Sequence, residues 1–323
     1  MKNLNYLKTL AMAFVGLLFV TACDNDDDHT PPPTSLNIVE TAQSAGLNIL
    51  VQAAIKANLD AALVAEGNKT VLAPTDAAFT AFLTDNGFSS LSEVPTAVLK
   101  QILLNHIIDG TNITSKDLIG KTGYANTLAE GPNSNKLSIY YDGGNNSVIF
   151  NGSSKVQTAD IMASNGIVHV VDKVIALPTI ATFATTNPAL STLVDALAYA
   201  DSGEPTVPYI ATVSDANTGP FTVFAPTNGA FDLLLEELNV TALSEIPTST
   251  VDAVLLQHIV NANVPSNNLQ TGNITTLGGA ITANATDFTL TDTNARVSNI
   301  VTTLVDIQAT NGVVHVIDKV LLP

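Results

Sequence analysis

The sequence predicts an α+β fold built twice in tandem, on three grounds. Residues Asp160 to Val174 recur almost unchanged as Asp306 to Val320, an offset of 146 that is too long for a solenoid unit and so marks duplication of a whole domain. Thr70 to Phe79 lines up with Thr222 to Phe231, and Leu103 to Ile108 with Leu255 to Val260, both at an offset of 152. Six residues are therefore lost in the second copy between its middle and last motifs, in a stretch rich in Gly, Asn and Ser where loops absorb deletions. Within each copy helical periodicity comes first and strand patterns follow, which is the layout of helices packed on a sheet.

The elements follow in order. Leu47, Leu50, Val51, Ala54, Ile55 and Leu59 fall at helical spacing, as do Leu190, Leu193, Val194, Leu197 and Ala198 in the second copy. A β-rich run, Thr70–Leu72 or Phe221–Phe224, then meets Pro74 or Pro226, and a capped helix that buries Phe79 or Phe231 begins. A further helix leads to His106 and His258. From Tyr124 and Thr275 onward, short runs separated by Gly and Asn read as a sheet with tight loops. Asn165-Gly166 and Asn311-Gly312 are expected to turn the chain through positive φ and launch strands whose apolar residues occupy both parities, so these strands should lie centrally. Pro178 and Pro323 end the two copies.

The amino terminus is expected to stand apart from the fold. Lys2 and Lys8 precede an uncharged run from Thr9 to Ala22 that is shorter than the roughly 20 residues a membrane-spanning helix needs, so residues 1–22 read as a signal peptide. Val20-Thr21-Ala22-Cys23 resembles the lipobox of bacterial lipoproteins, which implies a lipid on Cys23, the one cysteine of the chain. Residues 23–35 are an acidic, proline-rich stretch with almost nothing to bury, expected to be an extended tether. Its acid cluster resembles the surface-export signal of Bacteroidetes lipoproteins, implying an outer-membrane anchor facing the cell exterior, whereas the enterobacterial sorting rule would read aspartate after the cysteine as retention at the inner membrane. The expected domains are then 36–178 and 179–323, each with its own core and able to fold alone.

Charge limits the partners. The formal net charge is −17, and removal of Lys2 and Lys8 takes it to −19, which excludes nucleic acid. Residues 36–178 carry 12 acids and 8 bases, while 179–323 carry 13 acids and only Arg296 and Lys319, so the second repeat is the acidic end.

Taken together, the Ala-Pro-Thr segment with its following Phe, the central Leu-Leu-x-His and the closing Asn-Gly-x-Val-His-Val-x-Asp-Lys-Val resemble the fasciclin (FAS1) domain family, in both copies and in the family's order. The resemblance implies two wedge-shaped β-sandwiches with packed helices, and a role in adhesion to an extracellular protein or polysaccharide. The family often has Tyr before the central His, tied to integrin recognition in animal members. Asn105 and Gln257 stand there in this chain, so that mechanism is not carried over.

Little in the sequence points to chemistry. His169 and His315 sit in valine-rich strands, and His106 and His258 close helices, all four expected to support the fold. No Gly-x-Ser-x-Gly elbow is present, and no two histidines are spaced as a zinc pair, so neither catalytic residue, metal nor cofactor is expected. Asp160 and Asp306 are expected to bond backbone donors within their own turns. Glu236 and Glu237 diverge on a helix and read as a solvated face. The adjacent Tyr140 and Tyr141 should point to opposite faces of a strand, one of them outward where it can contact a sugar. The expected function is a non-enzymatic, lipid-anchored surface adhesion protein; the alternative is an accessory glycan-binding lipoprotein of a polysaccharide-uptake system.

Overall fold

The computed structural model describes residues 35–323, which form one compact unit; the signal region, Cys23 and nearly all of the tether lie outside the described residues. The first repeat runs α1 (Ile38–Ser44), α2 (Asn48–Lys56), α3 (Asp60–Val64), β1 (Lys69–Pro74), α4 (Asp76–Asp85), α5 (Thr96–Leu104), β2 (Ile107–Asp109) and α6 (Ser115–Leu118). It continues as β3 (Thr122–Glu130), β4 (Lys136–Asp142), β5 (Ile149–Phe150), β6 (Ser154–Ala163) and β7 (Gly166–Val171). The second repeats the plan: α7 (Ile180–Thr186), α8 (Ser191–Asp201), α9 (Tyr209–Ser214), β8 (Phe221–Pro226), α10 (Asn228–Leu238), α11 (Thr248–Leu256) and β9 (Ile259–Val260). Then come β10 (Gly272–Thr276), β11 (Gly279–Asn284), β12 (Thr289–Thr291), β13 (Val297–Asn299), β14 (Ile307–Ala309) and β15 (Gly312–Ile317).

Side chains close the helices where the sequence supplies them. Asn37 and Glu40 form a capping box on α1. Thr75 and Thr227, each directly after the proline that ends a strand, accept from Ala78 N and Ala230 N and start α4 and α10. Phe79 and Phe231 are buried as expected. Ile55 is not: α2 ends at Lys56 and the chain turns through Asn58 at φ +55°, which leaves Ile55 on the open side, 58% exposed. In the second copy Val194 is half-buried and Ala198 exposed, so the apolar stripe of α8 is narrower than its spacing predicts.

The central strands behave as their composition requires. Every residue of β7 and β15 is buried, because each strand pairs in parallel with the first strand of its repeat and antiparallel with the strand before it. In the first repeat Val71, Ala73, Val168 and Val170 point to the helices, while Leu72 and Val171 point the other way and meet Ile139 and Phe150 from the far strands. One seven-stranded sheet, ordered β2-β1-β7-β6-β5-β4-β3, thus folds over a second apolar layer. The second repeat divides the same sheet into β14-β15-β8-β9 and β10-β11-β12-β13. The counterpart of the long β6 is interrupted there between β13 and β14, with Ile300 bridging to Ile317. The two pieces still share the cluster of Phe224, Ile281, Leu290 and Ile317.

The repeats meet through a built interface. Tyr140 on β4 is 2% exposed and belongs to the apolar core of the second repeat. Its ring lies 5.1 Å from that of Tyr124, which in turn packs edge-on against Phe183 at 5.5 Å. Asn187 Nδ2 donates to Tyr124 Oη at 3.1 Å, and Gln308 N donates to Ser138 Oγ at 3.0 Å. The expectation that Tyr140 or Tyr141 points outward is corrected by this packing: Tyr140 is covered by the second repeat and Tyr141 is half-buried.

Candidate functional site

Four histidines recur in equivalent places, and each is wired to backbone at both ring nitrogens. His106 follows α5 and His258 follows α11. Ile175 N donates to His106 Nε2 at 2.9 Å and Leu321 N to His258 Nε2 at 3.0 Å. Since a peptide N–H can only donate, Nδ1 carries the ring proton and donates to the carbonyl one turn earlier, Ile102 O or Val254 O, at 2.7 Å in both copies. Each ring ties the end of a helix to the chain that leaves the central strand, Ile175 or Leu321. Burial pushes both rings down to about 4, outweighing the carbonyl bond that favours the charged form.

His169 and His315 have the opposite tautomer. Asp160 N and Asp306 N donate to Nδ1 at 3.3 and 3.2 Å, so Nε2–H donates to Ile113 O at 2.8 Å and to Val264 O at 2.9 Å. The 3.9 Å approach of Asp306 Oδ1 to His315 Nδ1 is therefore no ion pair: the ring is neutral, and burial holds its pKa below the usual histidine range. Asp160 and Asp306 sit at φ +60° and +57°, a conformation costly for a residue with a Cβ. Their carboxylates reach across 45 and 40 residues rather than into their own turns. Asp160 accepts from Ser115 N at 2.8 Å and Ser115 Oγ at 2.5 Å, and Asp306 accepts from Ser266 N and Oγ at 2.6 and 2.5 Å. Burial would push the Asp160 carboxyl up, but the two bonds from Ser115 outweigh it and hold the group below the ordinary carboxylate range.

Serine, histidine and aspartate therefore gather in both repeats, but in an order that cannot activate a nucleophile. A triad needs the hydroxyl to donate to imidazole and the imidazole to be held by carboxylate. Here the hydroxyl donates to the carboxylate, and both imidazole nitrogens are occupied by backbone. His169 and His315 are each 1% exposed. Among the described residues no three His, Cys, Asp or Glu side chains gather as a metal site.

Both Asn-Gly pairs lie at the turns that launch β7 and β15, but the expected positive φ is present at Gly312, at +149°, and not at Asn165, Gly166 or Asn311. Asn165 and Asn311 have ordinary φ and are buried staples. Asn165 Oδ1 accepts from Ile38 N at 3.0 Å while Nδ2 donates to Leu63 O and Ala65 O; Asn311 does the same with Ile180 N, Val213 O and Asp215 O. Gly166 and Gly312 are the first residues of β7 and β15, where a Cβ would collide with Lys69 O or Phe221 O across the parallel pair. Pro74 and Pro226 end the partner strands, and Asn105 and Gln257 are fully buried, accepting from Thr127 Oγ1 and Thr276 Oγ1 at 3.3 Å. The four repeated histidines, both Asn-Gly pairs, Pro74, Pro226, Asn105 and Gln257 thus lie inside the fold, whereas Asp160, Glu236 and Glu237 are exposed.

Two further features lie on the surface of the second repeat. Glu237 is not merely solvated: Arg296 Nη2 lies 2.5 Å and Lys319 Nζ 3.6 Å from its carboxylate, so both basic residues of the second repeat converge on one acid. A groove of about 370 Å³ in the second repeat has Phe224 and Leu269 as its floor and Asn268, Gln270, Thr271 and Asn273 along its walls. No periodicity signals it in the sequence, because the segment 268–274 lines it only once packed over Thr222 and Phe224 of β8, which lie more than 40 residues earlier.

A model of the fasciclin domain matches residues 45–178 and again residues 188–323. Protein sll1483 of Synechocystis sp. is 34% identical over 145 residues, 45% of this chain and 73% of that protein. The cell surface glycolipoprotein MPB83 of Mycobacterium bovis is 33% identical over 150 residues, 45% of this chain and 60% of its own length. Among solved structures, the FAS1 domain pair of the insect cell adhesion molecule fasciclin I superposes with a TM-score of 0.50 at 17% identity, covering 87% of this chain and 98% of that one. At that identity the likeness shows the fold, and it extends over both repeats as a pair. The chain therefore belongs to the fasciclin family, with two fasciclin domains in tandem.

Proposed function

We infer that this protein is a non-enzymatic adhesion module displayed at the cell surface, held in the outer membrane by a lipid on Cys23 and raised by the acidic tether to meet an extracellular protein. One observation supports the binding-module reading above others: all four repeated histidines have both ring nitrogens committed to backbone, so none of the four is free to act as a general base. A protein ligand is favoured because every Tyr and Phe among the described residues is buried or half-buried, so no exposed ring offers a sugar platform. The second reading, a glycan-binding lipoprotein serving polysaccharide uptake, draws on the neutral amide and hydroxyl lining of the groove at Asn268, Gln270, Thr271 and Asn273.

The anchor is tested by fractionation. Cys23→Ser is expected to move the protein from the membrane to the soluble fraction; retention on membranes washed at high salt would place the anchor elsewhere. Capture on extracellular matrix protein against capture on a glycan array then separates the two ligand classes.

A further inference from the structure

The contact between the repeats is head to tail, so each repeat keeps one half of it unused. Gln308, on β14 of the second repeat, sits on Ser138 of β4 in the first. At the offset of 146 that aligns the closing motifs, position 308 corresponds to Met162 on β6. Met162 is 66% exposed, and Leu36, 45% exposed, flanks the same hairpin because its carbonyl accepts from Ser164 N. The other half is found the same way. Thr127 and Thr276 bond the residue before the central His in their repeats, and the strand registers Asn126 with Ser138 and Thr275 with Ala280 then equate Ser138 with Ala280. By the same registers Tyr124 and Tyr140 correspond to Asn273 and Thr282. Asn273, Thr275, Ala280 and Thr282 are all exposed on the outer face of β10 and β11.

We propose that these two free halves bind each other between molecules: the Met162 hairpin of one copy seats on the β10–β11 face of the next, repeating the internal contact. A heterologous contact that does not close generates an open series, so the product is a string of copies. The chemistry fits a second copy of this chain. The facing residues carry no charge, although the repeat that bears the seat holds 13 acids against two bases. A flexible thioether fills the space over a small Ala280 and Thr282 surface. The contact lacks the aromatic anchors Tyr124, Tyr140 and Phe183 of the internal one, so it is weak for free molecules and becomes effective among copies crowded on one surface. Because the whole chain is strongly acidic, salt strengthens the association by screening repulsion between copies. This inference does not depend on which external ligand the protein takes.

Cysteine trapping tests it. Two full-length proteins, both carrying Cys23→Ser, are made with Met162→Cys in one and Ala280→Cys in the other, and mixed under mild oxidation. The mixed dimer is expected to exceed either homodimer at least tenfold, and a further Ala280→Arg change in the Met162→Cys protein should leave its folding and its trapping intact, since that seat is not the one used. In sedimentation, unmodified chains should form a concentration-dependent series that grows with salt, and Ala280→Arg should suppress it while leaving the melting temperature unchanged. Homodimers as abundant as the mixed dimer would overturn the head-to-tail contact, as would a protein that stays monomeric at all concentrations with no trapping.

Discussion

His106 and His258 make the fold sensitive to acid in a defined window. Their folded values of about 4 lie below the ordinary 6.5, so the unfolded chain binds protons first as pH falls. Their contribution is complete above pH 6.5, declines between 6.5 and 4, and levels off below. At 1.36 kcal/mol per unit, the loss is on the order of 3 kcal/mol for each ring. Urea unfolding across this range should show it, with a shallower pH dependence in His106→Gln/His258→Gln; equal slopes in variant and parent would remove these rings from the acid response. That the histidines are buried was legible from their valine-rich or helix-end settings. Their bonding was not, because Ile175 lies 69 residues from His106 and Ile113 lies 56 from His169. The second task of the Asn-Gly pairs, beyond turning the chain, was hidden for a related reason. A turn dipeptide and a buried staple beside a crowded strand start look alike in one dimension, and only the carbonyl of Lys69 or Phe221 distinguishes them.

At the scale of the elements, each repeat uses one clasp to fix a short segment onto the central strand. Ser266 and Val264 belong to the connection after β9, Asp306 precedes β14, and His315 lies in β15; three hydrogen-bonded contacts join them. Removing the imidazole leaves Val264 O and Asp306 N without their partners and releases a positive-φ aspartate, at a cost of about 1–3 kcal/mol. His315→Ala should lower the melting temperature, and His315→Gln, which retains hydrogen-bonding atoms, should lower it less. An unchanged melt in His315→Ala, joined to loss of any turnover the parent displays, would instead assign the ring to catalysis. The order of elements and the central position of β7 and β15 followed from periodicity. The division of the second sheet did not, because a six-residue deletion reveals shortened loops and not which ladder they interrupt.

Across the whole molecule, duplication has produced a joined pair rather than two separate beads. The sequence contains two complete motif sets, which is why each repeat reads as self-sufficient, and we expect 36–178 and 179–323 each to fold alone. The aromatic seat of Tyr124, Tyr140 and Phe183 adds a coupling that no motif announces, since a tyrosine facing a partner domain and one facing water occupy the same strand parity. Calorimetry of the full chain beside Tyr124→Ala/Tyr140→Ala measures that coupling directly. The parent is expected to melt in one cooperative transition above either isolated half, and the variant in two transitions close to those of the halves. A parent that already melts as the sum of its isolated halves would contradict the joined pair.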